Sequence, residues 1–319
     1  MNDKSCMLSV CIPTYNRYPL LVRALDSVLA QDFRKMEVII SDNCSTDGSW
    51  PLTEQLAGRD PRIIVNRNGT NLGWAGNLNA CIGRARGTYI LFLCDDDELM
   101  PGMLKKTVAF LEEHDTAGLV HCNGWVSFPD GSERLRKTQT VPLLPAGTAA
   151  ITKIMLKNTL IFSSVVVRKA CFDRLGLFTE TCSADWEMWA RIGKSYDIGH
   201  IAKPLIRVHV HAFSSNHPAS FYERDWTFLG ERILSYLPDA EQLPLRPRLR
   251  GEIAHGLFQL GIQAWQQGQY RRGQEFLLAA ARHENRLVWM YRYAQAVLLA
   301  LPRYLLWKKR GTRAHVSNV

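Results

Sequence analysis

"YILFLCDDDELMP", residues 89–101, drives a mostly apolar run straight into three consecutive carboxylates, Asp95, Asp96 and Asp97, followed by Glu98 and the turn-forming Pro101. Ending a buried strand in like charges is costly through repulsion and desolvation, unless something positive faces them. The run has counterparts upstream. LSVCI (8–12), EVIIS (37–41) and RIIV (62–65) read as short buried strands, as does TYILFLC (88–94). Between the first two, PLLVRALDSVLAQ (19–31) spaces Leu21, Ala24, Leu25, Val28 and Leu29 at helical intervals, with Pro19 suited to a first turn. DNCSTDGS (42–49) and NRNGTNLGWAGN (66–77) read as loops, the second leading into a helix near 77–86, and a further helix is expected around 101–114. Strands alternating with helices at this pitch predict βαβ units: an α/β fold with a mostly parallel sheet flanked by helices. Ligands of such sheets collect beyond the carboxyl ends of the strands. Asp42 and Asp95–Asp97 all stand just past strand ends and are expected to face one crevice.

With 319 residues and 46% hydrophobic content, the chain can bury a sizeable core. The eight cysteines show no CxxC spacing and several lie in apolar runs, which predicts reduced, packed thiols. The N-terminus lacks a basic region followed by an apolar one, so no secretory signal is read and a cytoplasmic setting is expected. No window offers 18 uncharged apolar residues, so no transmembrane helix is required. The net charge of +9 is uneven: after Glu284 there are seven Arg or Lys and no acid.

Carboxylates clustered at the end of a parallel strand suit Mg2+ or Mn2+, which favour oxygen ligands and are commonly shared with a substrate's phosphates. An isolated Asp-Asp-Asp is more often a solvated loop, but its neighbours form an ordered set. SVCIPTYNR, EVIISDNCSTDGS and NLGWAGNLNACIGRARGTYILFLCDDDELMPGML follow one another at normal spacing within residues 9–104, and the likeness they open extends over roughly residues 8–215. Together they resemble the family-two glycosyltransferases, nucleotide-sugar enzymes of the GT-A (Rossmann-like) fold.

That resemblance implies roles. Pro13, Tyr15 and Asn16 would lie near the nucleotide, Asp42 would accept a hydrogen bond from the base, and Asn71 and Asn77 would border the donor pocket. Asp95 would sit at the donor side of the metal motif, with Asp96 and Asp97 as metal ligands. An inverting transfer needs a base on the face opposite the nucleotide. CSADWEMWARIG resembles the family's E-D-x-x-x-W segment and places Asp185 on its Asp, with Ala184 where Glu is usual. The same acid in a helix's first turn also stabilises that helix. Trp186 and Trp189 at this spacing read as core rather than as sugar platforms. IRVHVH resembles a closing R-x-H, implying Arg207 on phosphate and His209 on the diphosphate or metal. Asn43 and Cys44 depart from the family's Asp-Gly.

Residues 1–220 are therefore expected to form the catalytic domain and 221–319 a helical extension. Within the extension, 251–284 reads as an αα-hairpin turning near Gly268. Residues 287–310 combine an apolar run, Trp289, Trp307 and Lys308–Arg310, which predicts an interfacial helix at the inner membrane surface. The implied partners are a nucleotide diphospho-sugar donor and a saccharide acceptor, lipid-linked if the tail meets membrane. No nucleic-acid motif accompanies the basic tail. Two rivals stand beside this reading. A nucleotidyltransferase would carry a Gly-rich basic loop after the first strand, which IPTYNRYP is not. A non-catalytic binding module built on a degenerate transferase would have no need of Asp185 and an intact acid triple.

Overall fold

The computed structural model describes residues 6–138, 141–156, 160–210 and 218–283, with positions 288, 289, 291 and 294. The stretch 287–310, expected as an interfacial helix, thus lies almost wholly outside the described residues. The chain divides into two compact units, residues 1–210 and 211–319.

The first unit opens β1 (Leu8–Thr14), α1 (Tyr18–Leu29), β2 (Met36–Asp42), α2 (Ser49–Gln55), β3 (Ile63–Arg67), α3 (Gly73–Ile82) and β4 (Tyr89–Phe92). It continues β5 (Glu98–Leu99), α4 (Met103–Glu113), β6 (Ala117–Ser127), β7 (Glu133–Arg136), β8 (Leu143–Leu144) and α5 (Thr148–Leu156). A 3-10 turn (Phe162–Ser164), β9 (Val166–Arg168), α6 (Lys169–Leu175), α7 (Ala184–Gly193) and β10 (Asp197–His209) complete it. The second unit holds α8 (Ala219–Leu234), α9 (Asp239–Gln266) and α10 (Tyr270–Ala281).

One sheet runs in the order β3-β2-β1-β4-β9-β6-β10-β5. Its first four strands are parallel throughout. Every residue of β1 and β2 is buried, which is why LSVCIPT and MEVIISD read as continuous rather than alternating runs. Helix α1 turns Leu21, Ala24, Leu25 and Val28 onto this sheet. Strand β9 slots antiparallel between β4 and β6, so the later half of the sheet is mixed. Strand β10 starts nine residues before the IRVHVH stretch that signals it. Pro204 interrupts the pattern, and the sheet takes it at a register shift, where a missing N–H is tolerated. Helix α3 likewise begins at Gly73 rather than 77, with Gly73 at φ 71° where a side chain would be strained.

In the second unit, Leu229 and Ile233 of α8, Leu249 and Leu257 of α9, and Phe276 of α10 form the buried face. The α9–α10 connection turns at Gly268, φ 79°. None of the eight cysteines, all among the described residues, forms a disulfide.

Gly87, immediately before β4, shows why a glycine opens this strand. A Cβ there would stand 2.6 Å from the Ser9 backbone nitrogen and 2.9 Å from its Oγ. The same corner is tied by Glu37, whose carboxylate accepts from Ser9 Oγ, the Arg86 backbone N–H and the Arg86 guanidinium. Gly87→Ala is expected to destabilise the protein by about 1–3 kcal/mol through overpacking against backbone. A lower denaturation midpoint at unchanged slope checks it.

Candidate active site

Parallel strand order brings the ends of β1, β2 and β4 to one edge, and the acids after β4 are held there by groups from three other segments. Asp95 and Asp97 are each only 5% exposed. Thr14 Oγ1 donates to Asp95 Oδ2 at 2.7 Å. Ser163 Oγ donates to Asp97 Oδ2 at 2.5 Å, and the His209 backbone N–H donates to Asp97 Oδ1 at 3.3 Å. Asp96 is more open and meets Arg17, whose Nη1 lies 2.9 Å from Asp96 Oδ2 and 3.4 Å from Asp95 Oδ1. Arg23 donates to the Asp96 carbonyl at 2.9 Å. The cations and hydroxyls that make the acid triple tolerable are therefore Arg17, Arg23, Thr14 and Ser163. None is singled out by the sequence, although Arg17 follows directly on the P-T-Y-N turn.

This neutralisation is incomplete. Burial pushes Asp95 up to about 6, against the pull of Thr14 and Arg17. Burial pushes Asp97 up to about 7, against the pull of Ser163. The donor set is oxygen-rich and desolvated, and it fits a hard divalent cation. Side-chain ligand atoms of Cys94, Asp96 and Asp97 lie within 4.8 Å of one another. The Cys94 thiol is kept protonated by burial and by the charges of Asp97 and Asp96. A carboxyl whose pKa is raised on folding adds stability below its unfolded pKa, and that contribution is lost as pH rises through the folded value. The metal-free protein is therefore expected to lose melting temperature between pH 4 and pH 7 at this site. A melting series in chelator measures it, and Asp97→Asn should flatten the slope.

Beside the acids lies a cleft of about 360 Å³ lined by Pro13, Thr14, Tyr15, Arg17, Asn43, Asn71, Gly73, Trp74, Asn77 and Asp95. Five residues expected around a nucleotide, Pro13, Tyr15, Asn71, Asn77 and Asp95, are thus brought together. Asn16 is next to them at φ 56°, a conformation asparagine tolerates. Its side chain accepts from the Thr46 backbone N–H at 2.8 Å, and its own backbone N–H donates to Ser45 Oγ at 2.9 Å, so it ties β1 to the loop after β2.

Asp42 is placed differently from its neighbours. It is fully buried, accepts from the Ser45 N–H and Oγ, and lies 3.5 Å from Arg67. Asn43 lines the cleft instead. Its amide is the hub of a network: Nδ2 donates to Asn71 Oδ1 and the Gly73 carbonyl, and Oδ1 accepts from Asn68 and the Leu72 N–H. Asn77 is equally committed, to Ser41 and Asn68. Asn71 and Asn77 therefore shape the cleft wall chiefly by bracing its loops.

On β10, Arg207 pairs in register with Glu98 of β5, while its guanidinium donates to Glu133 Oε1 at 2.9 Å and takes no part in the cleft wall. The His209 ring sits 2.5 Å from Glu98 Oε1, while its backbone serves Asp97. Asp185 occupies the first turn of α7, half-buried, in the field of Arg136 of β7. One turn later on the same face, Trp189 is fully buried and packs on Phe162 and Phe178. Trp186 is buried too and donates to the Ile154 carbonyl at 2.8 Å, so both tryptophans are core as expected. Asn79, unremarked in the sequence, pins Phe178 by two backbone bonds of 3.0 Å and so fixes the approach to α7.

Comparison with known proteins bears on the family and the fold. The family model "Glycosyl transferase family 2" matches residues 9–175. The putative colanic acid biosynthesis glycosyl transferase WcaA of Escherichia coli K12 is 32% identical over 193 residues, covering 60% of this chain and 67% of that protein. The GalNAc(5)-diNAcBac-PP-undecaprenol beta-1,3-glucosyltransferase of Campylobacter jejuni is 41% identical over 99 residues, 30% of this chain and 32% of its own length. Among solved structures, S. aureus TarS 1–349 with UDP superposes with a TM-score of 0.62 at 21% identity, covering 92% of this chain and 89% of that one. The mannosyltransferase PcManGT of Pyrobaculum calidifontis, in complex with GDP-Man and Mn2+, gives 0.55 at 19% identity, covering 97% and 84%. These two likenesses concern the fold, which is of the GT-A type with helices added at the C-terminus. With its family model spanning more than half of the chain, from β1 through α6, this protein belongs to glycosyltransferase family 2.

Proposed function

We propose that the protein is a metal-dependent, inverting glycosyltransferase. It moves a sugar from a nucleotide diphospho-sugar to the hydroxyl of a lipid-linked saccharide, in the assembly of a bacterial surface polysaccharide. The observation that carries the reading is the pair of desolvated aspartates, Asp95 and Asp97, beside an open cleft and flanking the more exposed Asp96. In this reading Tyr15 and the 13–16 turn hold the nucleotide against the Asn43 network. Asp95 and Arg17 border the diphosphate, and Asp96 and Asp97 hold Mg2+ or Mn2+. When bound, the ion neutralises charge on the departing diphosphate. Asp185 takes the proton from the acceptor hydroxyl as that oxygen attacks the anomeric carbon and the carbon–diphosphate bond breaks on the opposite face. His209 acts through Asp97 and Glu98, and Arg207 remains paired with Glu133.

The acceptor assignment is supported by the Campylobacter relative, named for an undecaprenyl-diphosphate-linked saccharide, and by the basic, Trp-flanked tail. No helix of the described residues is long and apolar enough to cross a membrane. Action at the cytoplasmic face of the inner membrane would then rest on surface contact.

A thermal-shift titration with UDP, dTDP, GDP and CMP, each with and without Mn2+, tests the reading. A ligand at a hundredfold excess over its Kd adds about 2.7 kcal/mol of stability. One nucleotide is expected to raise Tm in a Mn2+-dependent way. No shift with any of them would overturn the donor site.

A further inference from the structure

Two aromatic rings stand open on the cleft wall, Tyr15 at 40% exposure and Trp74 at 38%. A large ring left facing water forgoes the burial that drives folding, so an exposed tryptophan in a concave site invites a ligand. Trp74 is also held still. Its ring packs on Phe162 with centroids 5.1 Å apart, and Phe162 packs in turn on Phe92 and on the buried Trp189.

The two rings lean on different neighbours. Tyr15 precedes Asn16, which is bonded to Ser45 and Thr46 beyond β2. Trp74 leans on Phe162, and the next residue, Ser163, donates to Asp97 and accepts from the Cys94 N–H. In the sheet order β2-β1-β4-β9, Tyr15 therefore marks the β2 side of the acids, while Trp74, whose preceding residues Asn71 and Gly73 are tied to Asn43 beyond β2, turns its ring toward the β4–β9 side. A nucleotide diphospho-sugar with its base toward β2 and its diphosphate at Asp95–Asp97 carries its sugar toward Trp74.

We propose that Trp74 is the platform for the transferred sugar, a pyranose that lays a face of carbon-bound hydrogens on the indole. The inference rests on the donor-site reading above. It makes Trp74 a specificity-determining residue for the sugar and not for the nucleotide.

The test is calorimetric titration in Mn2+ with matched pairs: UDP against UDP-glucose and UDP-GlcNAc, and GDP against GDP-mannose. For the pair that the wild type binds, Trp74→Ala is expected to weaken the nucleotide sugar about tenfold, the loss of one aromatic contact, and to leave the parent nucleotide within about twofold. Trp74→Phe should keep most of the affinity. If Trp74→Ala does not fold, Trp74→Leu supplies the same comparison. Equal weakening of sugar and parent nucleotide, or no weakening of either, overturns the inference and leaves the donor site standing. A wild type that binds no nucleoside diphosphate with Mn2+ removes the donor site and the inference together.

Discussion

Asp185→Asn is expected to lower turnover about a thousandfold, within the range a positioned general base contributes, while leaving nucleotide affinity unchanged. The asparagine keeps size and a hydrogen-bonding oxygen but cannot accept the acceptor's proton. Local structure should survive the change. The first turn of α7 keeps Glu187 as its other acid. That side chain is fully buried, paired with Arg191 at 2.8 Å and bonded to Thr179 Oγ1. Any stability difference should thus come from the helix-dipole contribution of about 0.3–1 kcal/mol together with the weakened attraction to Arg136. Initial-rate kinetics beside a Tm measurement separates the two effects. Turnover within tenfold of wild type would remove Asp185 as the base and leave the fold assignment untouched.

The second large effect is expected at Asp96. Asp96→Asn should abolish the Mn2+-dependent part of the nucleotide shift and reduce turnover by about three orders of magnitude, since metal neutralisation of a leaving group is worth several kcal/mol. The argument is positional. Asp95 and Asp97 are the buried pair, held by Thr14, Ser163 and the His209 backbone, whereas Asp96 is the most exposed of the three and meets Arg17, a side chain itself 41% exposed. It is the carboxylate of the three most accessible to an incoming ion. Metal titration followed by nucleotide, in Asp95→Asn, Asp96→Asn and Asp97→Asn in parallel, ranks them. Retention of the full metal-dependent shift in Asp96→Asn, with its loss in Asp97→Asn, would move the ligand role to Asp97.

How far the sequence could be read depended on the range of the interactions involved. Strands β1–β4 and helix α1 were legible because apolar periodicity and local turn residues specify them. The cleft was legible through Pro13, Tyr15, Asn71, Asn77 and Asp95, all beside strand ends or in a Gly/Asn loop. The insertion of β9 between β4 and β6 was not, because VVR carries no mark of its pairing partner. Asp42 shows a subtler limit. Its position after β2 is conspicuous, but the Ser three residues on captures its carboxylate in a local turn, and Asn43 takes the place on the cleft wall. Arg207 was read toward phosphate, yet the strand opposite it across β6 supplies Glu133, an ion pair that sequence spacing cannot reveal. Ser163 and Thr14, which hold two of the three acids, are ordinary hydroxyls until the chain is folded.

The bonds that hold the acids also bear on how the chain reaches its native state. Thr14 and Asp95 are 81 positions apart, Arg17 and Asp96 79, Ser163 and Asp97 66, and His209 and Asp97 112. Each contact closes a long loop and gives no return until the strands between are seated. Local pieces such as α1 or the α9–α10 hairpin can form on their own timescale, but the carboxylate cluster is completed only when β10 docks. A nascent chain that has not yet emitted β10 holds Asp97 without its backbone donor, so the acid cluster is completed as one of the last events of folding.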